Sequence, residues 1–403
     1  MTMRPPGPAV AAALAAAAAL ALPACAGRPA TTRVPPVGTL ARPPATTVPA
    51  LRRLVADGAP GAASLITRAG RFPAPRFSTA GYADLRSRRR MTAADHFRAG
   101  SLTKPLVATV ILQLVAERRL RLSDPAAAHL PPGTPVTGRH GGADLRKVTV
   151  RQLLDHTSGL FNYTEDPRLA GQLSGPGFGP HRYDSHTPAA LLRIALDHPP
   201  VAAPGARPRG PEGMGGAPFA YSNTNYLVLG LIIRAVTGHP YATEIRRRIL
   251  RPAGLGQTSF PGTDPVLPAP HGRAYSRIGD RRVDATSLDP SRAGAAGEMV
   301  TTLGDLNRFF AALLGGKFLP PRQMAAIRSE KNTGGAYGLG LYATRLPCGV
   351  TVWGHNGDIN GSFAQAAGTV GGRHVVSYRV NTDDRPDPAE TTAVLSAEFC
   401  ARR

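Results

Sequence analysis

Apolar positions in this chain recur with a helical period in some stretches and a strand period in others, and the changes of period divide it into elements. Residues 51–56 predict a short helix, and the apolar runs 61–67 and 76–83 read as paired strands. After Ser101 comes an unbroken apolar run, 107–115, long enough for a buried helix that ends among charged residues by Arg121. Further helices are predicted over 149–156 (stopped at Ser158-Gly159), 188–197, 225–236 behind a Ser222 cap, and 302–314. Residues 160–220 are otherwise loop-rich, with Gly and Pro dense over 199–218. From Tyr337 the period becomes that of strands, at 337–343, 350–354, 363–370 and 374–380, and a last helix, 390–402, carries Cys400. Strands at both ends with helices between predict an α/β (α+β) fold. One sheet is assembled from both chain ends and packed against a helical insertion.

The first 27 residues read differently. A basic start at Arg4 and an Ala/Leu-rich segment over 9–22 form a secretion signal. Leu22-Pro23-Ala24-Cys25 resembles the lipobox of bacterial lipoproteins, in which the cysteine is lipidated and becomes the mature N-terminus; Ala24-Cys25-Ala26 equally fits ordinary cleavage after Ala26. Both readings imply export, to the outer face of the cytoplasmic membrane in the first case and to the medium in the second. The apolar segment is too short and alanine-rich for a transmembrane helix. Residues 26–47, rich in Pro, Thr and Ala, read as an extended tether, which leaves 48–403 as the folded domain. With Cys25 in the signal, Cys348 and Cys400 remain. An exported protein retains a disulfide between them; two unpaired buried thiols are the alternative.

A net charge of +22 over 403 residues first points to nucleic acid. The basic residues are scattered, no nucleic-acid-binding motif is present and aromatics make up only 6%, which argues against that class. Ordinary solvated arginine faces, or attraction to an anionic surface such as a cell wall, account for the charge. Only four of the 48 basic residues are lysines: Lys104, Lys147, Lys317 and Lys331.

Lys104 stands three residues after Ser101, so a helix starting there places both on one face. A mere N-cap would favour Glu or Gln at the third position, where the helix dipole attracts negative charge. A lysine held there loses its proton more easily and becomes a base for a serine nucleophile, a role closed to arginine. Two more short motifs follow, Tyr221-Ser222-Asn223 opening a helix and His355-Asn356-Gly357 after a strand.

In the order Ser-x-x-Lys, Tyr-x-Asn, His-x-Gly, the chain resembles the serine beta-lactamase and penicillin-binding-protein superfamily. Within it, the class C-like branch that includes the D-alanyl-D-alanine carboxypeptidases is the nearest in pattern. Residues 152–160 (Gln-Leu-Leu-Asp-His-Thr-Ser-Gly-Leu) and 337–341 (Tyr-Gly-Leu-Gly-Leu) support the resemblance, which covers about 48–400. It implies a beta-lactamase/transpeptidase-like fold, with an antiparallel sheet from both chain ends flanked by helices plus a helical subdomain. It further implies Ser101 as acylated nucleophile, Lys104 as its base, Tyr221 as proton shuttle to the leaving group, and Asn223 as holder of the substrate amide. His355 would line the cleft beside Asn356 and Gly357, and the backbone N–H groups of Ser101 and Asp358 would form the oxyanion hole. His156, in its turn, is read as structural.

The implied activity is that of a carboxypeptidase-like or beta-lactamase-like serine hydrolase on cell-wall peptides or related amides, with beta-lactams as acylating ligands. An esterase or D-amino-acid amidase of the same fold, or an inert cell-wall-binding homologue, are the alternatives. No metal, cofactor or nucleic acid is called for, and a membrane only through the lipid anchor. Two departures bear on substrate. Asn356 stands where the carboxypeptidases usually have Thr, and Tyr342 where some have Arg, both of which serve a substrate's terminal carboxylate. Residues 210–218 also lengthen the usual approach to Tyr-x-Asn.

Overall fold

In the computed structural model, strands β1 (Gly61–Arg68), β2 (Arg76–Gly81), β3 (Phe97–Arg98), β4 (Tyr275–Ile278), β5 (Arg281–Asp284), β6 (Val300–Thr301), β7 (Tyr342–Arg345), β8 (Thr351–Ile359), β9 (Ser362–Gly368) and β10 (His374–Val380) carry the sheet structure. The structure describes residues 47–69, 74–139, 142–205, 219–384 and 387–401. The signal with Cys25, the tether as far as residue 46, and the loop 206–218 lie outside the described residues.

Six strands form an antiparallel sheet in the order β2-β1-β10-β9-β8-β7, so the first strands of the domain sit beside its last. This is the sheet from both ends that the period change predicts. All seven residues of β9 are buried, because both faces of the sheet are covered. On one face Ala364 and Ala366 join the main core, which includes Leu106, Val110, Leu306 and Phe310. On the other, Phe363, Tyr378 and Val380 meet Leu51, Leu54 and Val394 from the terminal helices Val48–Ala56 and Pro388–Phe399. The helix Lys104–Ala116 is buried along most of its length, as expected for a run apolar on every side.

Three boundaries depart from the sequence reading. The strand expected at 350–354 continues to Ile359, so His355, Asn356 and Gly357 lie inside β8, paired with Ala366, Gln365 and Ala364 of β9. Glycines at 354 and 357 dilute the strand signal, while the small β9 partners accept them. The strand expected at 337–343 shrinks to β7. Gly340, at φ +100, lets 338–341 close on itself, with the Gly338 N–H donating to the Leu341 carbonyl at 2.7 Å. Ser222 occupies the N-cap position of the helix Asn223–Thr237 but makes no capping bond, its hydroxyl donating instead to the Phe161 carbonyl at 3.3 Å.

The far end of the chain is fastened twice. Cys348, in the turn between β7 and β8, is disulfide-bonded to Cys400 at the end of the last helix. Two residues earlier, the buried carboxylate of Glu398 meets the guanidinium groups of Arg68 and Arg76, each at 2.7 Å. A crosslink over 52 residues stabilises by about 4 kcal/mol on the chain-entropy estimate. Cys348→Ser with Cys400→Ser should therefore lose stability of that order in urea unfolding, while Ser101, on the other side of the sheet, keeps its reactivity. A melting curve unmoved by the double substitution would show the bridge to be idle.

Candidate active site

Ser101 sits in a single 3-10 turn, Gly100–Thr103, that feeds directly into the helix Lys104–Ala116. The turn is tied from within by the Thr103 hydroxyl, which donates to the Gly100 carbonyl at 2.8 Å and accepts the Met299 N–H at 3.1 Å. Strand β8 packs on it backbone to backbone. A Cβ added to Gly357 would lie 1.9 Å from the Ala99 oxygen and 2.9 Å from the Ser101 nitrogen; one on Gly100, at φ +52, would lie 2.7 Å from the Asp358 nitrogen. Only glycine fits either place. This approach brings the main chain of Asp358 beside that of Ser101, the two positions expected to supply the oxyanion donors.

Lys104 is 0% exposed. Its Nζ lies 2.8 Å from each of three oxygens: Ser101 Oγ, Asn223 Oδ1 and the main-chain oxygen of Ala296. No carboxylate is within 4.0 Å of it among the described residues. Burial without a counter-ion holds its pKa well below the ordinary lysine value. Burial is thus the cause, more than the helix terminus on which the sequence argument leaned. Amide and carbonyl oxygens accept hydrogen bonds only, so in the neutral form of the amine its two N–H bonds would go to Asn223 and Ala296. The third direction faces the Ser101 hydroxyl at 2.8 Å, and in that form it carries the lone pair. Asn223 is itself steadied by Thr164, whose Oγ1 accepts from Nδ2 at 3.3 Å.

The Tyr221 hydroxyl donates to Ser101 Oγ at 2.8 Å, and its ring passes 4.9 Å from Lys104 Nζ. His156 braces that ring, with centroids 4.3 Å apart. Its Nδ1 accepts from the Ser222 N–H at 3.2 Å and from Asn225 Nδ2 at 3.0 Å, so the ring is neutral with its proton on Nε2. Burial, and then the Lys104 charge, hold its pKa well below the usual histidine value. The reading of His156 as structural agrees with this placement beneath Tyr221 and Ser222.

A cavity of about 640 Å³ opens at Ser101, Asn223 and Asp358. His355 does not line it, which corrects the expectation drawn from the motif. Its ring is 1% exposed on the helix side of β8, with Nε2 bonded to the Tyr337 hydroxyl at 2.7 Å and Nδ1 against the Asn356 carbonyl. Burial first, then the neighbouring Lys104, hold its pKa down to about 3. Asn356 alternates to the opposite face of the strand and is likewise absent from the cavity wall. There it accepts from the Tyr342 hydroxyl at 3.2 Å; Gln365 Nε2 donates to Tyr342 at 3.3 Å, and the Tyr378 hydroxyl donates to Gln365 at 2.9 Å. The two residues that depart from the carboxypeptidase pattern are therefore partners. Sequence reasoning missed the Ala296 carbonyl, for which no side chain gives a signal, and Tyr337 as a ligand of His355, although it opens the Tyr-Gly-Leu-Gly-Leu stretch.

The beta-lactamase family model matches residues 49–399. Penicillin-binding protein PbpX of Bacillus subtilis is 28% identical over 262 residues, which cover 65% of this chain and 57% of that protein, so the match spans little more than half of the relative's length. A D-stereospecific amidohydrolase from a Streptomyces species superposes with a TM-score of 0.78 at 40% identity, covering 89% of this chain and 99% of the other. A D-amino acid amidase of Ochrobactrum anthropi, in complex with L-phenylalanine amide, gives 0.71 at 25% identity over 89% and 99%. With the motifs in order, the sheet from both ends and a family match over nearly the whole domain, the chain belongs to the beta-lactamase family of serine hydrolase folds.

Proposed function

We propose that this chain is an exported serine hydrolase that cleaves amides of D-amino acids through an acyl-enzyme on Ser101. The observation that carries the reading is the buried, uncompensated Lys104 with its free direction turned to the Ser101 hydroxyl. As Ser101 Oγ bonds to the substrate carbonyl carbon, Lys104 Nζ takes its proton. The carbonyl oxygen becomes an oxyanion between the N–H groups of Ser101 and Asp358. When the C–N bond breaks, Tyr221 gives its proton to the departing nitrogen and recovers one from the Lys104 ammonium. Water then attacks the ester by the reverse use of the same groups, releasing the acid.

The likeness to D-stereospecific amidases over nearly their whole length supports an amide substrate. The Tyr342–Asn356 pair lies off the cavity wall, so neither residue offers a terminal carboxylate a contact there. Beta-lactams are cyclic amides and acylate Ser101 in this reading, in keeping with the names of the penicillin-binding relatives. The disulfide between Cys348 and Cys400 fits an oxidising compartment and supports export, with a lipid anchor on Cys25. A Cys25→Ser chain then partitions to the medium without loss of activity.

The roles at the site are tested by comparing Lys104→Arg, Ser101→Ala and wild type, each first shown folded by thermal melting. Lys104→Arg keeps the charge but cannot act as a base, so acylation by a chromogenic thioester should fall about 10²–10⁴-fold. That is roughly 3–5 kcal/mol of barrier. Activity within about tenfold of wild type would sink the base assignment.

Because Lys104 acts neutral, kcat/KM should rise with pH as it loses its proton and level off well below the ordinary lysine value of 10.5. On the acid side it should fall about tenfold per pH unit. Linkage has the same sign. The unfolded chain binds a proton on Lys104 that the folded chain does not, so stability also rises with pH across that window. A profile still climbing at the ordinary lysine pKa would contradict the buried neutral amine.

On the substrate side, D-amino-acid amides should outrun peptides ending in free D-alanine. Paired kcat/KM values on the two substrates check this, and a ratio that favours the peptide would contradict it.

A further inference from the structure

The wall of the Ser101 cavity holds a cation that the chemistry above does not use. Arg292 closes the short turn Pro290–Arg292 and lines the cavity beside Tyr163, Thr164, Leu173 and Asn360. It is 4% exposed. Its Nη2 donates to Asn360 Oδ1, its main-chain oxygen accepts the Tyr163 hydroxyl at 2.6 Å, and its guanidinium lies over the Phe178 ring at 5.5 Å. Nη1 is buried with no hydrogen-bond partner, and no carboxylate lies within 4.0 Å of the group among the described residues.

A second buried guanidinium adds to the imbalance. Arg98 is 2% exposed, its Nε and Nη1 are also unpartnered, and it lies close enough for the two charges to repel. Burial holds both groups down to about 10, still charged at neutral pH. Two buried acids lie nearby and are already engaged: Asp289 accepts the Ser291 N–H at 2.8 Å and the Ser185 hydroxyl at 2.5 Å, and Glu298, on the Arg98 side, accepts the Gly262 N–H at 3.0 Å and the Tyr241 hydroxyl. Elsewhere on the cavity wall charge is compensated. Asp383 accepts from Ser276 and from the Arg277 N–H, and Asp384 pairs with Arg277 at 4.0 Å. Like charges buried together with idle donors are unfavourable unless something completes them. At a cavity beside a nucleophile, that something is a ligand.

The side of the nucleophile on which Arg292 lies identifies the part of the substrate it meets. The cavity is lined by Asn223 and its partner Thr164, and not by Tyr221. Asn223 holds the substrate's amide in the reading proposed above, and Tyr221 serves the leaving group, so the cavity receives the acyl part. We infer that Arg292 selects an anionic acyl residue, and that the preferred substrates are amides whose acyl part carries a side-chain carboxylate, such as the α-amides of D-glutamic acid. A carboxylate accepts two parallel N–H bonds from one guanidinium and gives the idle nitrogen a partner. This inference rests on the amide reading.

Its test compares the α-p-nitroanilides of D-glutamic acid, D-glutamine and D-phenylalanine. D-Glutamine matches the glutamate in shape without its charge. Wild-type kcat/KM should favour D-glutamate over D-glutamine by at least about tenfold, the worth of one charge-assisted pair. The ratio should collapse towards one in Arg292→Met and take an intermediate value in Arg292→Lys, which keeps a charge without the fork. A wild-type ratio near one, with D-glutamine or D-phenylalanine turned over, overturns the inference and leaves the amide reading standing. So does a ratio that survives in Arg292→Met. Absence of turnover of all three nitroanilides overturns the amide reading and the inference with it. The wild-type ratio needs no variant, so a poorly folding Arg292→Met does not protect the claim.

Discussion

The structure turns on a lysine amine held away from water with no counter-ion among the described residues. Burying an amine this way is unfavourable to its charged form and is tolerated because the neutral form finds two acceptors and one donor. Each comes from a different part of the chain. Ser101 belongs to the turn before the central helix, Asn223 to the first residue of a second helix, and Ala296 to a short helical segment near β6. The apolar sheath of the Lys104–Ala116 helix therefore does two things at once. It anchors the helix in the core, and it excludes the water that would keep Lys104 protonated. Three bases with lowered pKa values end up close together, since His156 and His355 are desolvated by the same packing and a proton on Lys104 opposes a second one on either ring.

Around that amine the backbone sets distances more than the side chains do. The contacts of Gly100 with Asp358 and of Gly357 with Ala99 fix how near β8 comes to the nucleophile, and neither glycine has room for a methyl group. His355, two residues away on the same face of β8 as Gly357, acts from within the core. With its ring bonded to Tyr337 it supports the wall and does not touch the cavity. The third motif is thus a spacer whose essential member is its glycine.

Much of this was legible in the chain, and what was not has identifiable causes. Ser101, Lys104, Tyr221 and Asn223 were found because helical geometry turns sequence spacing into proximity within a motif, and the order of the motifs supplied the rest. The period change at Tyr337 announced the returning strands, and the two cysteines announced their bridge. His355 was assigned to the wrong place because the strand was read as ending at Gly354; once β8 runs to Ile359, alternation alone sends His355 and Asn356 to opposite faces. Ala296 acts through a carbonyl and leaves no trace in residue type. Arg292 was invisible for another reason. In a chain with so many arginines, only burial and the lack of a partner distinguish one from the others.

The sheet order has a kinetic consequence. β1 lies next to β10, with Ala62 opposite Val380, so an interior pairing of the sheet joins the two ends of the domain. Such a contact carries nearly the largest loop-closure entropy the chain can offer, and folds rich in distant pairings form slowly. Until the last strand arrives, β1 and β2 form a hairpin with one edge unsatisfied, and β9 exposes the other. The nucleophile's surroundings are therefore among the late events of folding. A chain cut between β9 and β10 retains every catalytic motif and still lacks the strand that holds its two halves together.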